Sequence, residues 1–442
     1  MLARLAARAT AWSTRFVPDA FVIAILLSAL VFALALGLTP HGAGALSSFW
    51  AAGLWELNGF AMQMCLVVLT GYIVAVSPPV SRLLDRLAGC PKSPRQAVAL
   101  MAVASMIMAL LNWGLSIVGS AVLARALARR VRGLDYRLLV ASAYLGLGCL
   151  WHAGLSATAP LLSATPGNFT EKLLGQTLSI ESTLLSPLNV GLAVAVLVIM
   201  PVLAAALHPR PEDTVSVDPE LLRDSGFELD TKAPSTPAEA ISRHFLASAL
   251  LVVAGCYALY AAFADRGAAA LNIDTVNLLF LLVGLALHGR PTRFLKAAEA
   301  GGGFLWAIVI QFPLYAGIFG LIKGSGLGSV IATSLVGAVD AEGYPMFVLW
   351  YSGLLNYVVP SGGAKWGIEA PYVIEAAKTL GVSLPTTITA YAWGDMLTDI
   401  IQPFWAIPLL SVARLGFRDI MGYCILFFVV YATLVTAGFA LA

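Results

Sequence analysis

The sequence predicts an all-α polytopic membrane protein, built as two inverted-topology repeats that each hold a re-entrant helical hairpin and a broken transmembrane helix. Three observations lead there. Only 11% of the 442 residues are charged and 59% are hydrophobic, whereas a water-facing surface calls for about 25% charged residues. Many apolar stretches reach the roughly 20 residues that cross a bilayer. Polar and glycine residues also interrupt two apolar stretches that are too long for a single crossing.

Taken in order, full spans are expected near 17–38, 60–77, 137–160, 187–206, 243–262, 274–290, 303–322, 386–411 and 419–441. Arg4, Arg8 and Arg15 precede an apolar run too long for a signal-peptide core, so the first span is read as uncleaved. The stretches near 97–128 and 344–380 are broken by Asn112-Trp113-Gly114 and by Pro360-Ser361-Gly362-Gly363, as re-entrant hairpins would be. Such breaks at membrane depth are tolerated only where protein or a water-filled cavity covers them. Ser81–Leu87 and Phe294–Ala300 are amphipathic and suit the membrane interface. His208–Arg243 is the longest polar segment. The domain reading is therefore a first repeat over 1–206, a cytoplasmic linker over 207–242, and an extra helix with the inverted second repeat over 243–442.

The halves resemble each other. Leu110-Leu111-Asn112 recurs as Leu354-Leu355-Asn356, and Ala143-Tyr144 with Pro160-Leu161-Leu162 recurs as Ala390-Tyr391 with Pro408-Leu409-Leu410. Gln63 and Gln311 each precede a hairpin. With the N-terminus cytoplasmic, the extra helix inverts the second half. Under that topology 21 of the 26 Lys and Arg residues fall in cytoplasmic segments, as the positive-inside rule requires. The exceptions are Lys172, Arg266, Lys323, Lys365 and Lys378.

Other function classes lack support. No basic patch alternates with aromatics, which argues against nucleic acid. The five cysteines show no metal-ligand spacing, and their odd number argues against a disulfide framework. Gly324–Gly328 follows no strand, so it is a weak nucleotide motif. The absence of a Walker motif argues against an ATP-driven pump, and no cofactor is expected. A membrane-embedded enzyme would need a nucleophile and base together, and His152 has no evident partner in the sequence.

Inverted repeats with interrupted helices build midplane sites in many secondary transporters, where half-helix N-termini hold a carboxylate and unwound carbonyls a cation. The candidate segments are Asn112–Ser116, Ser156–Asn168, Asn356, Pro360–Trp366 and Asp395–Gln402. Substrate contacts are expected from Asn112, Ser116, Ser163, Thr165, Asn168, Asn356, Ser361, Gly362, Gly363, Lys365 and Trp366. Cation coupling, to Na⁺ or H⁺, is expected from Thr158, Asp395, Thr398, Asp399 and Gln402. Asp395 and Asp399 lie four apart and share a helix face, and ionisable groups inside a membrane mark function by default. Each assignment has a plainer alternative: helix capping for Asn112 and Asn356, close packing for Ser156 and Thr158, snorkelling for Lys365, and protein ion pairs for the two aspartates.

Several motifs are long and unusual. Pro160–Asn168, Val359–Gly363 followed by Trp366, Gln402–Ala406 and Arg418–Cys424 resemble the bacterial short-chain fatty acid transporters, and the likeness extends over nearly the whole chain. Those transporters are grouped in the ion transporter superfamily. The resemblance implies a multi-pass bacterial inner-membrane carrier, often a homodimer in membrane lipid, that imports acetoacetate or butyrate with a cation; within that superfamily Na⁺ is favoured. It carries substrate and ion roles onto Asn112, Ser163, Thr165, Asn168, Asn356, Ser361, Gly362, Gly363 and Gln402. Lys365 and Glu369 depart from the expected pattern, both at the second hairpin. An antiporter or exporter of another organic anion, such as a dicarboxylate, is the alternative; a dianion would favour a second cationic group in the cavity.

Overall fold

The computed structural model of the chain describes residues 20–217, 236–359 and 361–442. The N-terminal arginines Arg4, Arg8 and Arg15, the start of the first span, most of the expected linker and Pro360 lie outside the described residues. All regular structure among the described residues is helical. The helices are α1 (Ala20–Leu38), α2 (Ala43–Gly53), α3 (Asn58–Ala75), α4 (Pro78–Leu87), α5 (Pro94–Leu111), α6 (Trp113–Arg130), α7 (Tyr136–Cys149), α8 (Thr158–Ala164), α9 (Phe169–Leu174) and α10 (Pro187–Ala206). Then follow α11 (Pro237–Arg243), α12 (Phe245–Arg266), α13 (Ile273–His288), α14 (Pro291–Gly302), α15 (Trp306–Ser325), α16 (Leu327–Ala338), α17 (Tyr344–Val358), α18 (Gly362–Leu380), α19 (Leu384–Leu397), α20 (Ile407–Ala413) and α21 (Phe417–Ala440).

Local chemistry explains the boundaries. Proline occupies the first turn of α4, α5, α10, α14, α17 and α19, where its missing N–H costs nothing. Asp135 caps α7 by accepting from Leu138 N at 2.8 Å, and Asn272 and Thr275 form a capping box on α13. Among the described residues eight helical runs are long and apolar enough to cross a membrane. One of them, Tyr136–Ala164, includes a break.

One packing relation recurs in both halves. The first arm of each hairpin, α5 and α17, lies along the helix that precedes each break, α7 and α19. The breaks themselves hold short 3₁₀ turns, Trp151–Ala153 after α7, and Asp399–Ile401 and Phe404–Ala406 after α19. Around this centre α3 packs on α6, α13 on α3, α15 on α1 and α2, and α10 on α5 and α21.

Three features differ from the sequence reading. α2 and α16 are additional helices; each is too short for a span, and Gly326 at φ 75° turns the chain between α15 and α16. α19 ends at Leu397, so Asp395 and Asp399 do not share one continuous helix. The start of the expected linker is docked: Val215 N donates to Asp135 Oδ2 at 2.9 Å, and its carbonyl accepts from Tyr136 N at 2.9 Å. A cap with two acceptor oxygens thus ties a polar segment to a span end.

α2 and α15 touch through glycine. A Cβ on Gly53 would stand 2.7 Å from both Gly320 Cα and Ala316 O. Gly53→Ala is therefore expected to lower the melting temperature of the detergent-purified protein, by an overpacking cost of about 1–3 kcal/mol, with no effect on the cavity described next.

Candidate substrate cavity

The two breaks meet in the interior. Tyr144 on α7 donates its hydroxyl to the carbonyls of Asp399 and Gln402 at 2.9 and 3.1 Å. The backbone N–H of His152 reaches Met396 Sδ at 3.1 Å. Free carbonyls of one unwound segment are thus satisfied by side chains of the other half, as buried backbone requires.

Each hairpin tip sits on the break of its own half. In the first, Trp113 N donates to Ser156 Oγ at 3.0 Å and Leu155 N to Leu110 O at 2.7 Å. Asn112 ends α5 and caps α6, accepting from Leu115 N at 3.0 Å and donating to Val67 O at 3.0 Å. In the second, Ser361 caps α18, while Asn356 lies inside α17 and donates to Asp399 Oδ1 at 2.7 Å. The two asparagines occupy corresponding places in sequence but do different work.

The second tip opens on a cavity of about 40 Å³, lined by Ser361, Gly362, Gly363, Thr158, Asp399, Trp151, Trp113, Trp405, Met64, Leu147, Ile308 and Phe312. A Cβ on Gly362 would lie 2.5 Å from Asp395 Oδ2 and 2.9 Å from Trp151 Cη2. One on Gly363 would collide with Phe60. Only glycine lets the helix start approach so closely. Its first N–H groups have no intrahelical acceptor, and the positive end of the α18 dipole points the same way. Asp399 is held by Trp151 Nε1 at 3.0 Å as well as by Asn356. A wider cavity of about 400 Å³ shares Trp113, Ile308 and Trp405 with the inner one. The two indoles meet edge to face at 5.2 Å between them.

Behind the tip lies a buried charge cluster. Lys365 Nζ is 3.0 Å from Asp395 Oδ1 and 3.4 Å from Glu369 Oε1. It also hydrogen-bonds the Ser352 carbonyl at 2.9 Å and the Ser352 hydroxyl, and sits 4.5 Å from the Tyr391 ring centre. Asp395 Oδ2 contacts His152 Nδ1 at 3.2 Å. Because His152 Nε2 accepts from Ala159 N at 3.3 Å, the ring hydrogen belongs on Nδ1, pointed at Asp395. His152 therefore has the partner that sequence inspection did not find.

Of the residues anticipated for substrate or cation, Thr158, Ser361, Gly362, Gly363 and Asp399 line this cavity. Asn356, Thr398 and Asp395 stand behind it. Lys365 is fully buried rather than snorkelling, and Trp366 donates to Thr170 Oγ1 at 3.1 Å. Gln402 is buried in the second break, where its carbonyl accepts from Tyr144. Asn112, Ser116, Ser163, Thr165 and Asn168 do not line the cavity. Ser116 donates to Ser105 O, Ser163 to Ala159 O, Thr165 to Leu161 O and Asn168 to Leu162 O. Small hydroxyl residues look alike in sequence whether they face a ligand or close a turn. Trp151 and Glu369 were not anticipated; the i, i+4 spacing of Lys365 and Glu369 was the available signal. Among the described residues no cluster of three or more His, Cys, Asp and Glu side chains is placed to hold a metal ion.

A short-chain fatty acid transporter model matches residues 1–442 of the chain. The chain belongs to the short-chain fatty acid transporter family. It is 38% identical over 426 residues to a protein of Escherichia coli (strain K12) named as a short-chain fatty acid transporter, covering 96% of each chain. A Haemophilus influenzae protein of the same name is 35% identical over 432 residues, again covering 96% of each. The fold is similar to that of the YdaH transporter of Alcanivorax borkumensis, with a TM-score of 0.59 and 17% identity over 96% of this chain and 99% of that one. MtrF of Neisseria gonorrhoeae, described within a class of antimetabolite efflux pumps, gives a TM-score of 0.54 and 16% identity over 98% and 96%. The chain is thus a multi-pass membrane transporter of a bacterial family, not an enzyme.

The close approach at Gly362 makes it the sharpest probe of this site. Gly362→Ala should abolish transport while the protein still elutes as a single folded species in size-exclusion chromatography, because the added methyl pushes on Asp395 and Trp151.

Proposed function

We propose that the chain is a secondary carrier importing short monocarboxylates such as butyrate or acetoacetate across the bacterial inner membrane, driven by a cation gradient. One observation carries this reading: a cavity at the N-terminus of α18 joins a polar end to an otherwise apolar wall. The helix-start N–H groups and the Ser361 hydroxyl suit a carboxylate. Met64, Leu147, Ile308 and Phe312 suit a short alkyl chain. Trp113 is also on that wall, whereas Trp366 is buried behind it. The described wall carries no Lys or Arg, which favours a monoanion over a dicarboxylate.

The acidic groups at the second break supply the coupling side of the scheme. Thr158 and Asp399 on the cavity wall, with Thr398 and Gln402 behind it, form the cation-responsive side, and Asp395 sits in its ion pair one layer deeper. A bound cation offsets the substrate charge and lowers the cost of carrying it through the bilayer. Two inverted repeats, 1–206 and 243–442, support alternating access around the shared centre; the matched packing of α5 on α7 and α17 on α19 agrees with this. A homodimer belongs to the same reading. α12 offers an exposed apolar surface to lipid or a second copy, with Tyr257 at 72% and Tyr260 at 71% exposure.

Purified protein in proteoliposomes is expected to take up labelled acetoacetate or butyrate above the level of protein-free vesicles. Asp399→Asn, which discharges the one acidic wall residue, should reduce that uptake about tenfold or more with little change in melting temperature. Wild-type vesicles that stay at the protein-free level would move the substrate assignment to another organic anion.

A further inference from the structure

The carrier reading leaves one buried acid without a task. Glu369 lies two turns along α18 from the cavity-lining tip and is fully buried, and its carboxylate meets only the Lys365 ammonium at 3.4 Å and the Ser352 hydroxyl. Its neighbour Lys365 has three N–H bonds to give. Two are taken by the carbonyl and hydroxyl of Ser352. The third faces two carboxylates, Asp395 at 3.0 Å and Glu369 at 3.4 Å, and cannot serve both. Asp395 has the imidazole N–H of His152 besides.

The charges around Glu369 do not balance. The groups facing it are Lys365 and Tyr372 from its own helix, Asp395 and Tyr391 from α19, and Tyr344 and Tyr351 from α17. The other elements against α18 add no buried counter-charge: α8 and α16 contain no titratable residue, Glu171 of α9 turns to Gly167 N while Lys172 of α9 is exposed, and Lys323 of α15 pairs with Glu56. Three buried acids, Asp395, Asp399 and Glu369, thus share one ammonium and one neutral imidazole. An uncompensated carboxylate inside a membrane protein is expensive, and a single proton on Glu369 removes one of the two that Lys365 leaves uncompensated.

We propose that Glu369 is the proton-binding group of this carrier, so that one proton moves with each carboxylate; the role in coupling rests on the carrier reading above. The step forms one O–H bond on Glu369 and breaks none within the protein. Protonation leaves Lys365 to Asp395 and makes the region beneath the α18 N-terminus one unit more positive, which favours an anion at the tip. By reciprocity a bound anion favours the proton. Substrate affinity therefore tightens as pH falls through the titration of Glu369.

The test compares wild type with Glu369→Gln, which mimics the protonated state. In Na⁺-free proteoliposomes with an inward proton gradient, corrected for protein-free vesicles, wild type should accumulate acetoacetate toward about tenfold per pH unit, the limit for one proton per anion. Glu369→Gln should lose that accumulation, keep acetoacetate counterflow exchange, and bind with pH-independent affinity. A substrate-free readout accompanies it: infrared difference spectra of the purified protein across pH should show a protonated-carboxyl C=O band in wild type that is missing in Glu369→Gln. Gradient-driven accumulation by Glu369→Gln equal to wild type, accumulation by wild type only with Na⁺, or a pH-titrating band unchanged by the substitution would each overturn the proposal. If the band behaves as expected but no carboxylate is carried, the proton site stands and the substrate reading falls.

Discussion

Everything in the centre of this protein depends on keeping a lysine ammonium charged in a slab of apolar side chains. Lys365 is fully buried, and it is tolerated because Asp395, Ser352 and the face of Tyr391 surround it. A buried pair of this kind contributes little net stability, but removing one partner costs about 3–5 kcal/mol because the other charge is stranded. The cluster therefore constrains α17, α18 and α19 together: each supplies a group that the others cannot do without.

The helix breaks follow from the same constraint. α19 ends at Leu397, and the Asp399 carboxylate just beyond it is held by Trp151 and Asn356. The carbonyls released by the break go to Tyr144 of the other half. The glycine pair at the start of α18 completes the arrangement by removing side chains where helix start, Asp395 and Trp151 converge. The groups that hold the break also line or back the cavity, so occupancy of one part and the charge of the other are energetically linked.

Much of this was legible in the sequence. Apolar length revealed most of the spans, although the stretches expected at 274–290 and 386–411 form shorter helices. Asn112 and Ser361-Gly362-Gly363 revealed where the chain breaks, because polar and glycine residues inside apolar runs have few other uses at membrane depth. The small helices α2 and α16 escaped notice, being too short for a span. The site was only half legible. Ser163, Thr165 and Asn168 form a dense polar cluster, yet their side chains satisfy nearby backbone carbonyls. Thr158, of the same residue class, faces the cavity.

By itself the sequence determined an all-helical membrane protein of two interrupted halves and the segments where chemistry must concentrate, because hydropathy and helix-breaking are local properties of a chain. Only the tertiary structure decided which polar groups point into the cavity and which close the backbone. His152 meets Asp395, and Trp151 meets Asp399, across more than 240 residues. Those pairings depend on how two broken helices cross, and no local spacing encodes a crossing.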